Sequence, residues 1–533
     1  MAYGKSRMIN RRQFLAGATA VTASSALTKQ MGAVKGGGRQ SPNLLFIFPD
    51  QFRLQALGIW QEPGYRQYLR TVGDPVHTPA LNRLARESLL LTQACSTSPI
   101  CSPSRAMLMS GVYPSQNGVT TNCFQGRTQG LHDEIQCLTD VLAGAGYETA
   151  YIGKTHWERN RPLFDVHGNY VGTATPPGGN YVNPYDTYIS PGKGRHGNRF
   201  WFQDVKDQHY DPWSYSSAPA LVGGKKDGEP YRSKQFSPRL EADVLIGYLK
   251  NSAGQRNANK PFSIIWAPNP PHTPYFSLKD CDEEVFRKYY KDVPIDKLLN
   301  RPNVDVAKAV ASGHDDPSKC APIYFSLVSS IDQQVDCVLQ ALQETGEAEN
   351  TIVVFTSDHG EMMGSHGLTA KSVIYDEAFL IPFMIRFPGQ LKPRVDDTLL
   401  GRVDVMPTIL GLMGLNNSIP ASVRGIDFSR ALLTGRFTNV AKPRSAVFLM
   451  QDFHVRGVRT DRYTYQVDDD GKTNLFDNTA DPYQMKNLPL ATIDSMDLKL
   501  LQSELGRWLK VAADPWYENA THKELITYPG GTA

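Results

Sequence analysis

The sequence predicts an α/β fold: a large mixed, mainly parallel sheet flanked by helices, with a smaller C-terminal α+β unit. Three observations carry this. Short apolar runs of strand character alternate with helical patterns, the signature of a mainly parallel sheet with crossover helices. Four of these runs end in polar or ionisable residues, as strands do when their carboxyl ends line a ligand crevice. Past about Ala421 the pattern shifts to the alternation of antiparallel strands.

In chain order, "INRRQFLAGATAVTASSAL" pairs Arg11 with Arg12, then Phe14 and Leu15, ahead of a weakly apolar Ala/Thr-rich run. This resembles a twin-arginine export signal, against the plainer alternative of a disordered basic tail. The Gly-rich "VKGGGRQSP" reads as a linker, so residues 1–40 stand apart from the fold. Export by the twin-arginine machinery implies a periplasmic or extracellular protein. Residues 41–420 form the expected main domain. In it, "NLLFIF" runs into Asp50 and Gln51, and "TAYIG" into Lys154 and His156. "FSIIWAP" precedes His272, and "TIVVFTS" runs into Asp358, His359 and Glu361. Between the last two, Ile331, Val335, Val338 and Leu342 recur at helical spacing, and Gly346 is placed to stop that helix.

From about Arg161 to Tyr231 the chain is rich in Gly, Pro, Tyr, His and Trp without a helical stripe, which predicts long ordered loops over the crevice. Trp201, Tyr210 and Trp213 are candidates to stack on sugars, with Arg195, His196 and Arg199 for anionic groups; the alternative is that they pack the loops themselves. Residues 421–533 close with strands in "SAVFLMQDFHVRGVRTDRYTYQVDD" and a helix in "SMDLKLLQSELGRWLKVAA".

Composition narrows the function classes. Of the 533 residues, 41% are hydrophobic and 20% charged, and the formal net charge is only +3, which argues against nucleic acid or a membrane surface as partner. No apolar run is long enough to span a bilayer in the mature chain. The seven cysteines include no CxxC pair. Most of Cys95, Cys123, Cys137, Cys281, Cys320 and Cys337 read as small buried side chains. Cys101, beside Pro103 and Arg105 where a helix begins, is different.

Asp50, Asp358 and His359 supply ligands for a divalent cation; the carboxylates suit calcium or magnesium, while the imidazole also admits manganese or zinc. Lys154, Lys371, Arg105, His156 and His272 add positive charge or proton-transfer capacity. A cation beside such groups suits a tetrahedral oxyanion, a sulfate or phosphate ester. Taken singly, His359 reads as a turn residue, Lys371 as a solvated charge, His366 as a side chain that contacts neighbours or water, and His314 as a loop residue.

The motifs go further together. "CSPSR" matches the C-x-P-x-R signature of the type I sulfatases, of the alkaline phosphatase superfamily, whose cysteine is oxidised to formylglycine (3-oxoalanine) by a maturation enzyme. "PNLLFIFPDQ", "HTPALNRLARES", "GYETAYIGKTHW", "PPHTPY", "TSDHGEMMGSHGL", "GRVDVMPTIL" and "NLFDNTADPYQMKNL" resemble further landmarks of that family, in order, over most of Pro42–Leu488. The chain departs from the commonest pattern in having Asp50-Gln51 for two aspartates and Asp358-His359 for Asp-Asn. That is similar to the branch with choline sulfatases, phosphonate monoester hydrolases and some glycan sulfatases.

The resemblance implies an alkaline phosphatase-like fold and a cation, most simply Ca2+ with Mn2+ or Zn2+ as alternatives. It would be held by Asp50, Asp358, His359 and the modified Cys101; Gln51 would either join them through its amide oxygen or only line the site. One hydroxyl of the hydrated aldehyde would attack sulfur, and the other would serve to expel sulfate. Arg105 would orient the hydrate and the carboxylates, and His156 would take the remaining hydroxyl proton. Lys154, Lys371 and His272 would hold sulfate oxygens or protonate the leaving group, and Asn122 falls where this branch places a site asparagine. The expected function is hydrolysis of sulfate esters, with a sulfated saccharide as substrate. The alternatives are a phosphonate monoester or phosphodiester hydrolase, a choline-type sulfatase, and a carbohydrate-binding protein that retains the fold without catalysis.

Overall fold

The computed structural model describes residues 41–123, 129–159, 187–205 and 208–519, with His522 and Ile526. The export signal and linker expected in residues 1–40 lie outside the described residues. The strands, in chain order, are β1 (Asn43–Ile47), β2 (Leu89–Leu91), β3 (Glu148–Gly153), β4 (Phe200–Asp204), β5 (Trp213–Ser216), β6 (Tyr231–Arg232) and β7 (Phe262–Ala267). They continue with β8 (Thr351–Thr356), β9 (Phe383–Arg386), β10 (Arg394–Asp396), β11 (Ser445–Met450), β12 (Val455–Thr460), β13 (Tyr463–Asp468) and β14 (Thr473–Asp477). The first ten form one sheet in the order β10-β2-β9-β8-β1-β7-β3-β4-β5-β6, and the last four a second sheet in sequence order.

The four runs with polar ends are β1, β3, β7 and β8. They lie side by side as β8-β1-β7-β3, every pair parallel. All their residues are buried, because helices cover both faces of a parallel core. Alternate side chains feed opposite layers: Leu45, Ile47, Ile264, Trp266, Val353 and Phe355 on one face, Leu44, Phe46, Ile265, Ile352 and Val354 on the other. Each such side chain, fully buried, contributes about 1.5–3 kcal/mol.

The first layer rests on helix Pro317–Glu344, whose expected stripe, Ile331, Val335, Val338 and Leu342, is buried. Asp316 caps its start, accepting from Ser318 N at 3.0 Å, and Gly346 follows its end at φ +74°, a left-handed conformation that suits glycine. The second layer includes Ala106, Leu108 and Met109 of helix Cys101–Ser110 and Met406, Ile409 and Leu410 of helix Val405–Leu412.

In the C-terminal α+β unit the antiparallel sheet β11–β14 packs on helix Ser495–Val511 through Leu501, Leu505 and Leu509, against Val447, Leu449 and Tyr465. Leu449 N donates to Thr97 O at 2.8 Å, which ties this sheet to the segment leading into Cys101.

One expectation is corrected. Within Arg161–Tyr231, residues 160–186 lie outside the described residues, but the remainder is not simply loop: β4 pairs parallel with β3, and β5 and β6 extend that edge antiparallel. These strands are short and set among Gly and Pro, and their register is fixed by a distant partner rather than by local alternation. Among the described residues no helix is long and apolar enough to cross a membrane.

Candidate active site

Parallel pairing brings the four polar ends to one edge of the sheet. Asp50 follows β1 and its N–H donates to Pro268 O beyond β7 at 3.1 Å; Lys154 follows β3 and donates to Ala267 O at 2.8 Å. Gly153 permits this close approach: its φ is +106°, and a Cβ there would sit 2.3 Å from Ala267 O. Asp358 and His359 follow β8. Cys101 is the first residue of helix Cys101–Ser110 and is buried, with Arg105 one turn on.

Arg105 organises the centre. Its Nη2 is 3.0 Å from Asp50 Oδ2, its Nε 3.1 Å from Asp358 Oδ2, and its Nη1 donates to Lys154 O at 3.0 Å. Burial works against the guanidinium charge, but Asp358 and Asp50 outweigh it and hold the pKa above its ordinary value. With both outer oxygens so occupied, the inner atoms face one another. Asp50 Oδ1 is 3.6 Å and Asp358 Oδ1 3.7 Å from His359 Nε2, while Cys101 Sγ is 3.3 Å from that nitrogen and 3.7 Å from Asp50 Oδ1. His359 Nδ1 lies 3.0 Å from Gly360 O, a contact that fixes the proton on Nδ1 and turns the Nε2 lone pair inward.

This donor set fits a cation. Ligand atoms of Asp50, Cys101, Asp358 and His359 all lie within 4.8 Å of one another, all four residues buried. Burial, only partly offset by the carboxylates, keeps the His359 pKa below its usual value, so a lone pair and two carboxylate oxygens converge in a dry space. For Asp50 burial opposes ionisation, yet Lys154, His272, Arg105 and His359 together hold its carboxyl well below the usual range. Two carboxylates and an imidazole suit a hard or borderline divalent ion.

With this geometry in view, comparison with known families is direct. The sulfatase family profile matches residues 42–415, and that of the N-sulphoglucosamine sulphohydrolase C-terminal region matches residues 364–510. The chain belongs to the sulfatase family. It is a sulfuric ester hydrolase. An endo-4-O-sulfatase of Bacteroides thetaiotaomicron is 39% identical over 513 residues, 92% of this chain and 96% of the relative. An ulvan-active sulfatase of Formosa agariphila is 28% identical, over 87% of this chain and 79% of the relative. A solved structure from the glycosaminoglycan metabolism of Bacteroides thetaiotaomicron superposes with a TM-score of 0.83 at 37% identity, covering 92% of this chain and all of that one. The phosphonate monoester hydrolase of Agrobacterium radiobacter, at 22% identity, shares the fold with a TM-score of 0.60 over 89% of this chain and 95% of its own.

Around the sulfatase centre the structure also gathers the expected cationic groups. Lys154 Nζ is 3.0 Å from Asp50 Oδ2 and donates to Asn269 Oδ1 at 2.9 Å. His272 is buried beyond β7, its Nδ1 3.1 Å from Thr273 Oγ1, and its carbonyl meets His209 Nε2 at 2.9 Å. His156 is buried at φ +59°; burial first, then Lys154 and Arg105, depresses its pKa well below the usual value. Lys371 Nζ donates to Gln51 Oε1 at 2.6 Å. Asn122 stands at the helix start, where its Oδ1 accepts from Ser102 N at 2.9 Å. His366 stacks on Tyr375 with ring centroids 3.8 Å apart.

Sequence reasoning missed several groups. Arg402, in "GRVDVMP", donates to the Asp358 carbonyl at 3.0 Å, and the Ser104 hydroxyl donates to the same oxygen at 2.7 Å. Burial lowers the Arg402 pKa to about 9 against the pull of Asp358. The expected sugar-facing set is corrected in part. Trp201 is buried against Tyr151, Arg195 lies over its ring and pairs with Asp227 at 2.7 Å, and His196 is buried 3.2 Å from Asp140. Tyr210 donates to Cys281 O at 3.2 Å. Partly exposed Trp213 lies under Arg232, and exposed Arg199 pairs with Glu148 at 3.3 Å. A sheet edge needs its own packing, and most of these side chains supply it. Of the six cysteines of which most were expected buried, Cys95, Cys123, Cys137, Cys281 and Cys320 are buried and Cys337 is exposed.

Proposed function

We propose that this sulfatase removes sulfate from a sulfated carbohydrate, using formylglycine made from Cys101 by a maturation enzyme and a divalent cation, Ca2+ first with Mn2+ or Zn2+ as alternatives. The observation that carries the reading is the convergence of Asp50, Cys101, Asp358 and His359 within 4.8 Å at the start of a helix. The cation would be held by Asp50, Asp358, His359, the modified Cys101 and Gln51. When bound it would supply Lewis-acid stabilisation of negative charge on the sulfate oxygens. Oxidation at Cys101 supplies the two hydroxyls of a hydrated aldehyde, which a thiol lacks.

The chain's own residues do the rest. Arg105 clamps both carboxylates and orients the side chain one turn before it. Lys154 and Lys371 hold sulfate oxygens; in a buried site such contacts strengthen as charge builds. His156, kept neutral by burial, would accept a proton from the hydrated aldehyde at residue 101. His272, whose Nδ1 is engaged by Thr273, presents Nε2 to the leaving oxygen and protonates it. Asn122 fixes the first turn of the helix.

The carbohydrate substrate is supported by the endo-4-O-sulfatase and ulvan-active relatives. The paired Arg11 and Arg12 support twin-arginine export to the periplasm or beyond. A desulfation screen of matured enzyme across defined sulfated saccharides, with an aryl phosphonate ester as comparator, tests the reading. Sulfate release from a saccharide supports it. Preference for the phosphonate overturns it in favour of the phosphoryl-ester alternative, and saccharide binding without release favours a binding protein.

A further inference from the structure

Glu361 lies two residues beyond His359, fully buried. Four donors converge on its carboxylate. Met363 N at 2.9 Å and Ala370 N at 2.7 Å reach Oε1; the Tyr275 hydroxyl at 3.1 Å and the Gln51 Nε2 reach Oε2. On the opposite side of the same carboxamide, Gln51 Oε1 accepts from Lys371 Nζ at 2.6 Å. An ammonium only donates and an ionised carboxylate only accepts, so this pair admits one of the two orientations of the amide. The backbone of Gln51 is pinned as well: its N–H donates to Asp358 Oδ1 at 3.0 Å, and its carbonyl accepts from Tyr324 at 2.8 Å. The orientation of the amide is the freedom that remains.

We infer that Glu361 is a positioning residue that turns the Gln51 carboxamide oxygen toward Lys371 and the cation cradle. Through Ala370 N it also places Lys371, whose neighbours Ala370 and Ser372 both have left-handed backbone, at φ +64° and +76°. The inference rests on the reading of the site given above and explains the pairing of Gln51 with Glu361. A carboxylate at position 51 would face the Glu361 carboxylate in a buried space, whereas an amide supplies that side chain with a donor.

Calorimetric titration of Ca2+ into the full chain, unmatured and carrying the thiol, tests this apart from turnover. Glu361→Gln keeps an oxygen for the two backbone donors but no longer selects the amide orientation. It is expected to weaken cation binding by about 10–100-fold, the usual effect of losing a group that orients a ligand, and to lower kcat of matured enzyme similarly. In a Gln51→Met background the same substitution is expected to change affinity by less than about two-fold, because its effect passes through Gln51. Where Glu361→Gln does not fold, Glu361→Asp withdraws the carboxylate from Gln51 and Ala370 N alike, and the test is then its excess loss in the wild-type background over the Gln51→Met background. Equal losses in both backgrounds, or wild-type affinity in the single variant, overturn the inference. If the wild-type chain desulfates no saccharide, the functional reading fails while the titration still decides the role of Glu361.

Discussion

Arg105 grips the outer oxygens of Asp50 and Asp358 at 3.0 and 3.1 Å, and so leaves their inner oxygens facing His359. A planar fork can bridge two carboxylates in this way, whereas a lysine offers a single point of charge. Arg105→Lys is therefore expected to weaken cation binding by about 10–100-fold in a calorimetric titration. Unchanged affinity would mean that the carboxylates hold their positions without the clamp.

Gly360 is the narrowest point behind the centre. A Cβ there would lie 1.9 Å from Glu377 O, and Gly360 N donates to Ala378 O at 2.9 Å. Gly360→Ala must push His359 and Glu361 out of place. The cost in stability is about 1–3 kcal/mol, typical of overpacking, read as a lower urea midpoint, together with loss of cation binding.

A cation that binds the folded chain alone must raise its melting temperature. At 100 times Kd the increment is about 2.7 kcal/mol. Differential scanning calorimetry with Ca2+ and with chelator reads this directly. In Asp358→Asn, which loses one inner carboxylate, the increment at the same Ca2+ concentration is expected to shrink to a small fraction.

Glu377 makes stability depend on pH away from the reaction centre. Burial raises its pKa, but Arg53, His366, Asn303 and Arg301 together outweigh burial and hold it below the usual value. A carboxyl with a depressed folded pKa contributes fully above its unfolded value, about 4.3, and loses that contribution as pH falls through the folded value. Glu377→Gln, which weakens the charge-assisted bond from Asn303 Nδ2 at 2.6 Å, is thus expected to be less stable at pH 7 by about 1–3 kcal/mol. Urea unfolding should show the gap to wild type closing below about pH 4. A gap independent of pH would contradict the assignment.

What the sequence made legible is what is local. β1, β3, β7 and β8 each announce themselves as an apolar run, and the polar residues that follow them converge because parallel strands share a direction. Cys101 and Arg105 sit four residues apart, one turn of one helix. What stayed hidden depends on partners far along the chain. Glu361 meets Gln51 across 310 positions and Tyr275 across 86, and no local pattern marks those contacts. The edge strands β4 to β6 were masked by Gly and Pro, so the sequence left Trp201 and Arg195 open between meeting a sugar and packing, and burial at the sheet edge decides for packing.

The most direct measurement is inorganic sulfate released from a defined sulfated saccharide by matured enzyme, compared with Cys101→Ala prepared identically. The account predicts release by the wild-type chain and none above background by the variant. Equal release by both would show that the chemistry does not pass through position 101.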